Sequence, residues 1–551
     1  MKPHPALLVA LVAVAVYSGT LRHSFVYTDV SGILNNPLVR NLDTARILRE
    51  PWRALTQLSF AVTHYFFGFS AAAFHVTNVL IHGCNAMLVF AIAARLARRW
   101  LPARDPGMFA LAAGLIHAVH PLYTEAVAYV WGRSSSLCAL FYFGTLLLVI
   151  LATEAAGGAR LLYTAGAVLA AVSAWETKEE AITLPLVVAG LLAISGSRRA
   201  AAAVALAPLL AAALGWRKIM SLYSYVAANA PPVSAGAEPL LVPSEYFLTH
   251  IKASVFYYLR LFVLPFGLNA VPDVEPVKRI TDPLFLIAAA VLALLAAWSL
   301  KAISGDRVIA FALLALLVSP LTAYAVMPLA DVAAEHRVYI AGLGFDLAAA
   351  WLLARSARHA WAALVGISLV LSFLTLERNR VWASDLTLWQ DAARKSPRLA
   401  RTHLNLAAAY HSAGNVDAAI PEYLRALTIN PRLSPAYVDL GVVFLLKGDL
   451  DRAEPLLRKA AELSPALPEP YLNLAVAAIR RGRGQDALDL VSKAESLGGA
   501  GRVHLIKGDA LRLLERYTDA RREYELALAL LPADPVAQEQ ARARLKALTV
   551  R

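Results

Sequence analysis

The chain has 551 residues, of which 58% are hydrophobic and 17% are charged, and this composition indicates a membrane protein whose last third is charge-rich and soluble in character. The formal charge of +13 comes from short basic clusters between apolar runs, as in cytoplasmic loops, which excludes nucleic acid as the expected partner. The two cysteines, Cys84 and Cys138, lie in apolar stretches and exclude a disulfide framework or a cysteine metal cage.

Apolar segments long enough to cross a bilayer fill most of the first two thirds of the chain. A span needs about 20 apolar residues in a hydrocarbon core of roughly 30 Å. Residues 5–21 are interpreted as a retained first span, because no small-x-small cleavage site precedes the polar segment that follows. The eleven predicted spans are 5–21, 74–94, 107–119, 134–153, 160–175, 181–195, 200–216, 283–300, 306–327, 336–354 and 358–376.

The first polar loop carries Thr28 and Asp29 directly after the first span. A carboxylate at this point can face both a lipid-phosphate donor in the membrane and a soluble acceptor. Asp29 is therefore the candidate general base that removes the proton of a hydroxyl nucleophile. A helix N-cap or turn residue is the alternative interpretation, since Asp favours both positions.

A polar stripe follows one face of the second span. His75, Asn78, His82 and Asn85 are spaced by three, four and three residues, which places them on one side of a helix. They are candidate supporting residues of a site, and hydrogen bonds that join membrane helices are the alternative. The spacing and the lack of a carboxylate do not favour a metal site.

Two groups of ionisable residues follow later spans. His120, Glu125 and Arg133 form the first group, in which Arg133 is a candidate phosphate ligand because its guanidinium is a rigid fork of donors. An Arg–Glu pair that fixes the loop is the alternative. In the second group, Lys178 and Glu179 are candidates for stabilising a phosphate leaving group, and pairing with neighbouring carboxylates is the alternative.

A third group comprises Asp331, Glu335, His336, Arg337 and Tyr339. Arg337 is again a candidate phosphate ligand, Glu335 is its predicted orienting partner, and Tyr339 is a supporting residue. Charged side chains at this depth are costly in a membrane protein, so they call for a functional explanation.

Basic clusters between the spans predict the membrane topology. They place the N-terminus in the cytoplasm and the loops that carry Asp29, Arg133, Lys178 and Glu335 on the opposite side. A simple crossing by residues 246–268 would invert every later loop, so this stretch is expected to be a re-entrant or interfacial helix. An odd number of spans then puts the C-terminal segment on the periplasmic side of a plasma (inner) membrane.

Four copies of one pattern fill the last third of the chain, starting at Ala400, Ser434, Pro468 and about Gly501. A period of about 34 residues with fixed small and bulky positions marks the tetratricopeptide helix-turn-helix unit. Residues 382–399 resemble a preceding half unit. Such repeats form a superhelix whose concave face holds a peptide or another protein, and a spacer that only positions another domain is the alternative.

Together these motifs resemble those of the transmembrane and tetratricopeptide-repeat-containing O-mannosyltransferases, in the GT-C glycosyltransferase class, and the chain looks like a bacterial relative. The resemblance runs nearly end to end. Its motifs are Thr28-Asp29 with Asn35-Asn36-Pro37, Phe74-His75 through Asn85, His120-Pro121 through Arg133, Thr177-Lys178-Glu179, Glu335 through Tyr339, and Arg378-Asn379-Arg380-Val381-Trp382.

The predicted fold is all-α, with a polytopic GT-C-like membrane domain over residues 1–380 and a tetratricopeptide-repeat α-solenoid over residues 381–551. The resemblance implies transfer of a sugar, with inversion at the anomeric carbon, from a polyprenyl-phosphate carrier to Ser or Thr hydroxyls of an extracytoplasmic protein that the repeats bind. It implies that Asp29 is the base and that Arg133, Lys178 and Arg337 contact the lipid phosphate. The supporting residues are His75, Asn78, His82, His120, Glu125, Glu179, Glu335 and Tyr339.

One position departs from the family pattern, since such loops often carry two adjacent acidic residues and Thr28 stands at the first. No metal is required by this interpretation, because cationic side chains can stabilise a phosphate leaving group, and a divalent cation is compatible with it.

The alternative to a glycosyltransferase is a non-catalytic membrane scaffold that assembles envelope or secretion proteins. It predicts that Arg133, Lys178 and Arg337 do not converge beside Asp29. A transporter of lipid-linked sugars would show internal symmetry among the spans, and none is apparent.

Overall fold

The computed structural model describes residues 5–50, 53–101, 105–205, 241–321, 331–355, 359–499, 501–530 and 535–549. Within these ranges every regular element is a helix and no β-strand occurs, which confirms the predicted all-α fold class. The chain divides into an N-terminal and a C-terminal unit between Ser396 and Pro397. The predicted boundary at residue 380 lies one helix earlier, because the helix Asp385–Lys395 of the predicted half unit groups with the N-terminal unit.

The N-terminal unit is a bundle of helices of very different lengths. Its α-helices are Pro5–Tyr17, Pro37–Arg40, Thr44–Arg49, Ala54–Phe67, Ala71–Trp100, Pro106–Val119, Thr124–Ala128, Arg133–Glu154, Gly157–Thr177, Leu184–Ile194, Arg198–Ala205, Pro243–Ala253, Arg260–Val263, Pro283–Ala302, Arg307–Val318, Gly342–Arg355, Ala360–Val381 and Asp385–Lys395. Short 3₁₀ helices cover Ser18–Arg22, Pro121–Tyr123, Glu179–Thr183 and Glu335–Val338, and π-helices cover Val30–Leu34 and Ser254–Leu259.

Six helical segments of the described chain are long and apolar enough to cross a membrane. They are Pro5–Arg22, Ala71–Trp100, Arg133–Glu154, Gly157–Thr177, Pro283–Ala302 and Ala360–Val381. Shorter apolar helices cover Pro106–Val119 and Arg307–Val318. Most of the predicted span 200–216 lies outside the described residues, as does part of 306–327, so the count of eleven spans stays a prediction.

The longest helix of this unit, Ala71–Trp100, carries the polar stripe. It begins at Ser70, whose side chain accepts a hydrogen bond from the backbone N–H of Ala73, and it ends with Arg98 and Arg99, where positive charge offsets the helix dipole. His75, Asn78, His82 and Asn85 are all buried, so the stripe faces other helices of the unit and not the outside.

The apolar stretch 246–268 is not one continuous helix. It contains the end of Pro243–Ala253, the π-helix Ser254–Leu259 and one turn of α-helix at Arg260–Val263. A π-helical insertion of this kind is frequent at functional sites. Whether the stretch is re-entrant or interfacial stays a prediction.

The C-terminal unit consists of helix pairs with the predicted period, which confirms the tetratricopeptide repeats. The pairs are Ala400–Ser412 with Val416–Ile429, Ser434–Leu446 with Leu450–Leu463, Pro468–Arg480 with Gly484–Ser496, and Arg502–Leu513 with Tyr517–Leu530, followed by Pro535–Thr549. The turns of the first three pairs contain Gly414, Gly448 and Gly482, with φ of 77°, 79° and 75°. Glycine adopts this left-handed conformation without steric cost, so the same turn recurs at each period.

Candidate functional site

The segment Glu335–Tyr339, called the 335–339 segment below, is the centre of the candidate site. Four of its five side chains contact different parts of the N-terminal unit, and the fifth, Val338, lines a cavity. A 3₁₀ helix, Glu335–Val338, makes this divergence possible, because three residues per turn send successive side chains in three directions.

Glu335 is fully buried and joins three elements. Its Oε2 lies 3.3 Å from Nη2 of Arg378, and its Oε1 accepts hydrogen bonds from the Tyr257 hydroxyl at 3.2 Å and from the Asn269 backbone N–H at 2.5 Å. Burial raises the pKa of Glu335 to about 7, although Arg378 opposes this effect. Arg378 also pairs with Asp391 at 3.0 Å. The predicted role of Glu335 in orienting Arg337 stays untested, and the observed cationic partner of Glu335 is Arg378.

His336 is held by Glu125. The Nδ1 atom of His336 lies 2.8 Å from Oε1 of Glu125, and the backbone N–H of His336 donates to Oε2 at 3.1 Å. Burial raises the pKa of Glu125 to about 7, with Arg378 opposing the shift. Lys178, Arg337 and Arg53 all lie within electrostatic range of His336. Two of the three predicted phosphate ligands therefore gather around this histidine.

Arg337 lies next to an apolar cavity. Its Nη1 donates to the backbone carbonyls of Asp331, at 2.9 Å, and Val332, at 3.5 Å, and these are its hydrogen bonds within the described chain. The neighbouring Val338 lines a cavity of about 240 Å³. Tyr258, which also lines the cavity, interacts electrostatically with Arg337. The remaining lining residues come mainly from Ile251–Phe262, Leu292–Ala296 and Leu316–Leu321.

The side chain of Tyr339 enters a buried polar network. Its hydroxyl lies 2.6 Å from Nδ1 of His82, 3.1 Å from Nδ2 of Asn85 and 3.3 Å from Nε2 of His117. His117 in turn lies 2.8 Å from Oδ2 of Asp346, which the Tyr123 hydroxyl also contacts. This network anchors the 335–339 segment to the helices Ala71–Trp100, Pro106–Val119 and Gly342–Arg355, which agrees with the alternative interpretation of His82 as a residue that joins helices.

Asp29 is fully buried in the first loop. Its two carboxylate oxygens accept the backbone N–H groups of Val26, at 3.0 Å, and Trp131, at 2.8 Å. Burial raises the pKa of Asp29 to about 7, although these backbone donors lower it in part. Asp29 is therefore poised between its two protonation states near neutral pH. Tyr27, two residues earlier, has φ of 54°, a left-handed conformation that costs roughly 1–2 kcal/mol for such a residue.

Arg133 lies close enough to Asp29 for an electrostatic interaction, but its donors are occupied by the protein. Nε donates to Asn78 Oδ1 at 2.7 Å, Nη1 to Thr63 Oγ1 at 3.1 Å and to the Ser59 carbonyl at 3.2 Å, and Nη2 to the Phe74 carbonyl at 2.9 Å. The guanidinium also lies over the Phe60 ring, 4.6 Å from its centroid. This geometry favours a role in holding the loop beside Asp29 and does not favour direct contact with a phosphate.

Lys178 is buried and paired. Its Nζ lies 2.5 Å from Glu180 Oε1 and 2.6 Å from Ser135 Oγ. Glu179 pairs instead with Arg53, 2.9 Å away, and although burial alone would raise the pKa of Glu179, Arg53 and Lys178 lower it to about 2. Arg53 is absent from the predicted site residues. Its partner Glu179 lies 126 positions away, and the sequence around Arg53 contains no motif that indicates such a contact.

The other predicted supporting residues have structural contacts. Asn78 donates to the carbonyls of Val127 and Tyr129 at 3.1 and 3.2 Å. His120 accepts the Leu122 backbone N–H at 3.2 Å, and its Nε2 lies 3.0 Å from the Phe262 carbonyl. His75 is buried and lies edge-on to the His23 ring, at 5.8 Å between centroids.

The charged residues thus form two clusters, built from separate segments of the N-terminal unit. One contains Asp29 and Arg133, and the other contains Glu125, His336, Lys178 and Arg337. Tyr129 lies between them, in electrostatic range of both Asp29 and Glu125. Among the residues that the structure describes, no three His, Cys, Asp or Glu side chains group as metal ligands, and the metal requirement stays a prediction.

Comparison with known proteins gives matches over both units. Two models of the tetratricopeptide repeat match residues 398–466 and 444–504. A solved thermophilic tetratricopeptide-repeat protein of Thermus thermophilus matches at 19% identity and a TM-score of 0.28, covering 33% of this chain and 96% of that chain.

Among curated proteins, the protein O-mannosyl-transferase Tmtc1 of Drosophila melanogaster is 35% identical over 24% of this chain and 16% of its own length. The human protein O-mannosyl-transferase TMTC4 is 30% identical over 25% of this chain and 21% of its own length. The protein O-mannosyl-transferase F38B6.6 of Caenorhabditis elegans is 23% identical over 77% of this chain and 62% of its own length.

Each of these alignments spans less than two thirds of the relative. The Caenorhabditis elegans alignment nevertheless extends into the N-terminal unit, because the repeats account for much less than 77% of the chain. The chain is therefore a tetratricopeptide-repeat membrane protein that is homologous to the Tmtc-type protein O-mannosyl-transferases, as its sequence motifs predicted.

Proposed function

We propose that the chain is a membrane glycosyltransferase that moves a sugar from a polyprenyl-phosphate donor to Ser or Thr hydroxyls of an extracytoplasmic protein. The observation that carries the proposal is the 335–339 segment, which places a cationic residue, Arg337, beside an apolar cavity and a second cation, Lys178, near the same histidine. A lipid phosphate combines an apolar chain with an anionic head, so this arrangement fits both parts of one molecule. The names of the homologous proteins support transfer to protein.

The phosphate is assigned first to Arg337. Its Nε and Nη2 make no hydrogen bond to the described residues, whereas all three nitrogens of Arg133 are engaged. Guanidinium groups bind phosphate through paired, charge-assisted hydrogen bonds, which require such available donors. Lys178 contributes positive charge that is partly offset by Glu180.

The reaction itself is a displacement at the anomeric carbon. The acceptor oxygen forms a bond to that carbon, the bond from carbon to the phosphate oxygen breaks, and the acceptor proton passes to the carboxylate of Asp29. Cations near the departing phosphate stabilise its charge. Val26 and Trp131 each donate one hydrogen bond to Asp29, so its oxygens can still accept another, but the side chain is fully buried and the acceptor hydroxyl reaches it only when the adjoining segment around Tyr27 moves.

The proposed site of transfer is the extracytoplasmic face of the inner membrane, with the repeats on that side. The test is transfer of radiolabelled mannose from a polyprenyl phosphate to a secreted protein by the purified chain, together with mass spectrometry of extracytoplasmic proteins from cells with and without it. Sugar on Ser or Thr that depends on the chain supports the proposal. Absence of transfer, with lipid bound and protein folded, favours the non-catalytic scaffold.

A further inference from the structure

His336 has one ring nitrogen that the protein itself does not use. Its Nδ1 lies 2.8 Å from Oε1 of Glu125, whereas its Nε2 makes no hydrogen bond within the described chain. The side chain keeps 24% of its surface exposed, which leaves the ring accessible to a bound molecule. The proposed transfer reaction assigns no role to His336, so its unused nitrogen needs an explanation.

Glu125 holds the imidazole of His336 in one orientation. One carboxylate oxygen of Glu125 contacts Nδ1, and the other accepts the backbone N–H of the same histidine at 3.1 Å. These two contacts fix the ring together with its main chain, so the direction of Nε2 is set before any ligand arrives. A group that is oriented in advance loses little conformational freedom on binding, which suits a residue that recognises a ligand.

The charges around His336 favour a neutral ring. Lys178, Arg337 and Arg53 all act on the imidazole, and each acts more strongly than the negative charge of Asp331. Three positive charges oppose the addition of a second proton to the ring. A neutral imidazole carries one N–H group and one lone pair, so Nε2 is either a donor or an acceptor.

The protonation state of Glu125 decides which of these roles Nε2 has. When Glu125 is ionised, Nδ1 donates to it and Nε2 is an acceptor. When Glu125 is protonated, the acid donates to Nδ1 and Nε2 carries the hydrogen. Because the pKa of Glu125 is raised to about 7, both states are populated near neutral pH.

This exchange narrows the ligand group that Nε2 can bind. A carbonyl or phosphate oxygen only accepts and an ammonium group only donates, so each of them fits one of the two states. A hydroxyl donates and accepts, so it fits both. The neighbouring Arg337 is the proposed phosphate ligand, and the donor sugar is bonded directly to that phosphate. The hydroxyls of this sugar therefore lie next to His336.

We propose that His336 is a specificity-determining residue whose Nε2 forms a hydrogen bond with a hydroxyl of the donor sugar, on the carbon next to the anomeric carbon. Along the sugar ring, this hydroxyl is the one nearest to the phosphate. The identity of the donor rests on the proposed function. The site then binds a sugar that has this hydroxyl more tightly than the corresponding deoxy sugar, and the preference depends on His336.

The test compares three lipids with the same polyprenyl chain: the phosphate alone, the mannosyl phosphate and its 2-deoxy analogue. Their Kd values are measured with the full chain in detergent and without acceptor. Since the chain and the phosphate are common to all three, the ratio of the two sugar-lipid affinities reports the hydroxyl. Wild type should bind the mannosyl lipid about fivefold more tightly than the 2-deoxy analogue, as one hydrogen bond provides. This comparison needs no variant.

Two variants assign the preference to Nε2. The amide of asparagine matches the position of Nδ1, so His336→Asn keeps a donor for Glu125 and has no atom at Nε2. It should bind both sugar lipids equally, while its Kd for the phosphate alone stays within about twofold of wild type. Glutamine reaches the position of Nε2, so His336→Gln should retain part of the preference. The control is His411→Asn, in the helix Ala400–Ser412 of the C-terminal unit, which should keep the wild-type ratio.

Sugar transfer is measured separately from binding. A wild-type preference that His336→Asn abolishes, without any transfer, supports this inference and removes the proposed function. Equal affinities of wild type for the two sugar lipids overturn the inference even when transfer occurs, and so does a preference that survives unchanged in folded His336→Asn. A wild type that binds none of the three lipids overturns both proposals.

Discussion

One carboxylate, Glu125, fixes both the side chain and the main chain of His336: Oε1 lies 2.8 Å from the imidazole Nδ1, and Oε2 accepts the backbone N–H at 3.1 Å. The two residues are 211 positions apart in sequence. This pair joins the short helix Thr124–Ala128 to the 335–339 segment, and thereby sets the position of Arg337 beside the apolar cavity.

The burial of Glu125 makes stability depend on pH. The folded-state pKa of Glu125 is raised to about 7 by burial, so its contribution to the free energy of unfolding is full below about pH 4.5 and is lost as the pH rises through about 7. Glu125→Gln keeps the shape of the protonated acid. We expect the variant to gain stability relative to wild type, by on the order of 1 kcal/mol per pH unit, between about pH 5 and pH 7. Thermal unfolding in detergent measures this gain, and parallel curves for the two proteins would contradict it.

Arg133 is predicted to be a positioning residue. Arg133→Lys removes the guanidinium group, which donates to Asn78, Thr63 and the Phe74 carbonyl at the same time. We therefore expect the free energy of unfolding to fall by about 3 kcal/mol. Because protein groups engage all three nitrogens of Arg133, we expect the affinity for polyprenyl phosphate to stay within about twofold of wild type. A twofold change in Kd corresponds to less than about 0.5 kcal/mol of binding free energy. The matched control is Arg95→Lys, in which a more exposed arginine pairs with Glu154. A stable variant with strongly weakened lipid binding would restore the phosphate role that the sequence predicted.

Arg337 is predicted to bind the donor phosphate. Arg337→Ala should weaken binding of polyprenyl phosphate at least tenfold, because a hydrogen bond to a charged group contributes about 1.5–3 kcal/mol. Arg40→Ala is the control, since Arg40 also donates to a backbone carbonyl, that of Leu34. Microscale thermophoresis in detergent gives both affinities. Equal losses in the two variants would show that the effect of Arg337 is not specific.

The cavity is predicted to hold the lipid chain. Ala296→Phe fills part of the 240 Å³ cavity, so it should weaken the binding of a long polyprenyl phosphate more than that of a phosphate with a single prenyl unit. Leu294→Phe, on the same helix but 70% exposed and outside the cavity lining, should change neither affinity. Competition against a fluorescent lipid phosphate measures the ratio of the two affinities. An unchanged ratio in Ala296→Phe would place the lipid elsewhere.

The repeats and the general membrane character could be predicted because both depend on local periodicity. A period of 34 residues with small residues at fixed positions is visible without any structure, and the left-handed Gly414, Gly448 and Gly482 follow the same period. Individual roles in the site could not be predicted in the same way. The sequence shows that Arg133 is costly to bury, but only the fold shows that protein groups occupy all three of its nitrogens.

Partners across long sequence separations were also missed. Arg53, which pairs with Glu179, belongs to no motif, and Arg378 stood in a motif without any sign that it pairs with Glu335. Asp346 had a usable signal, because a carboxylate inside a predicted span calls for a partner, which the structure provides in His117 and Tyr123.

The most direct test of the central claim is the rate of sugar transfer by Asp29→Asn, measured with a polyprenyl-phosphate donor and a secreted acceptor. Since the base acts when deprotonated and its pKa is raised to about 7, wild-type kcat/KM should rise with pH and level off above about 7. Above about pH 7, Asp29→Asn should lose at least a hundredfold in kcat while still binding donor lipid, and the difference from wild type should shrink as the pH falls below 7. The control is Asp43→Asn. Asp43 is an exposed N-cap residue in the same loop, and asparagine caps a helix equally well, so the transfer rate of this variant should match that of wild type. Transfer by folded Asp29→Asn at the wild-type rate would contradict the account.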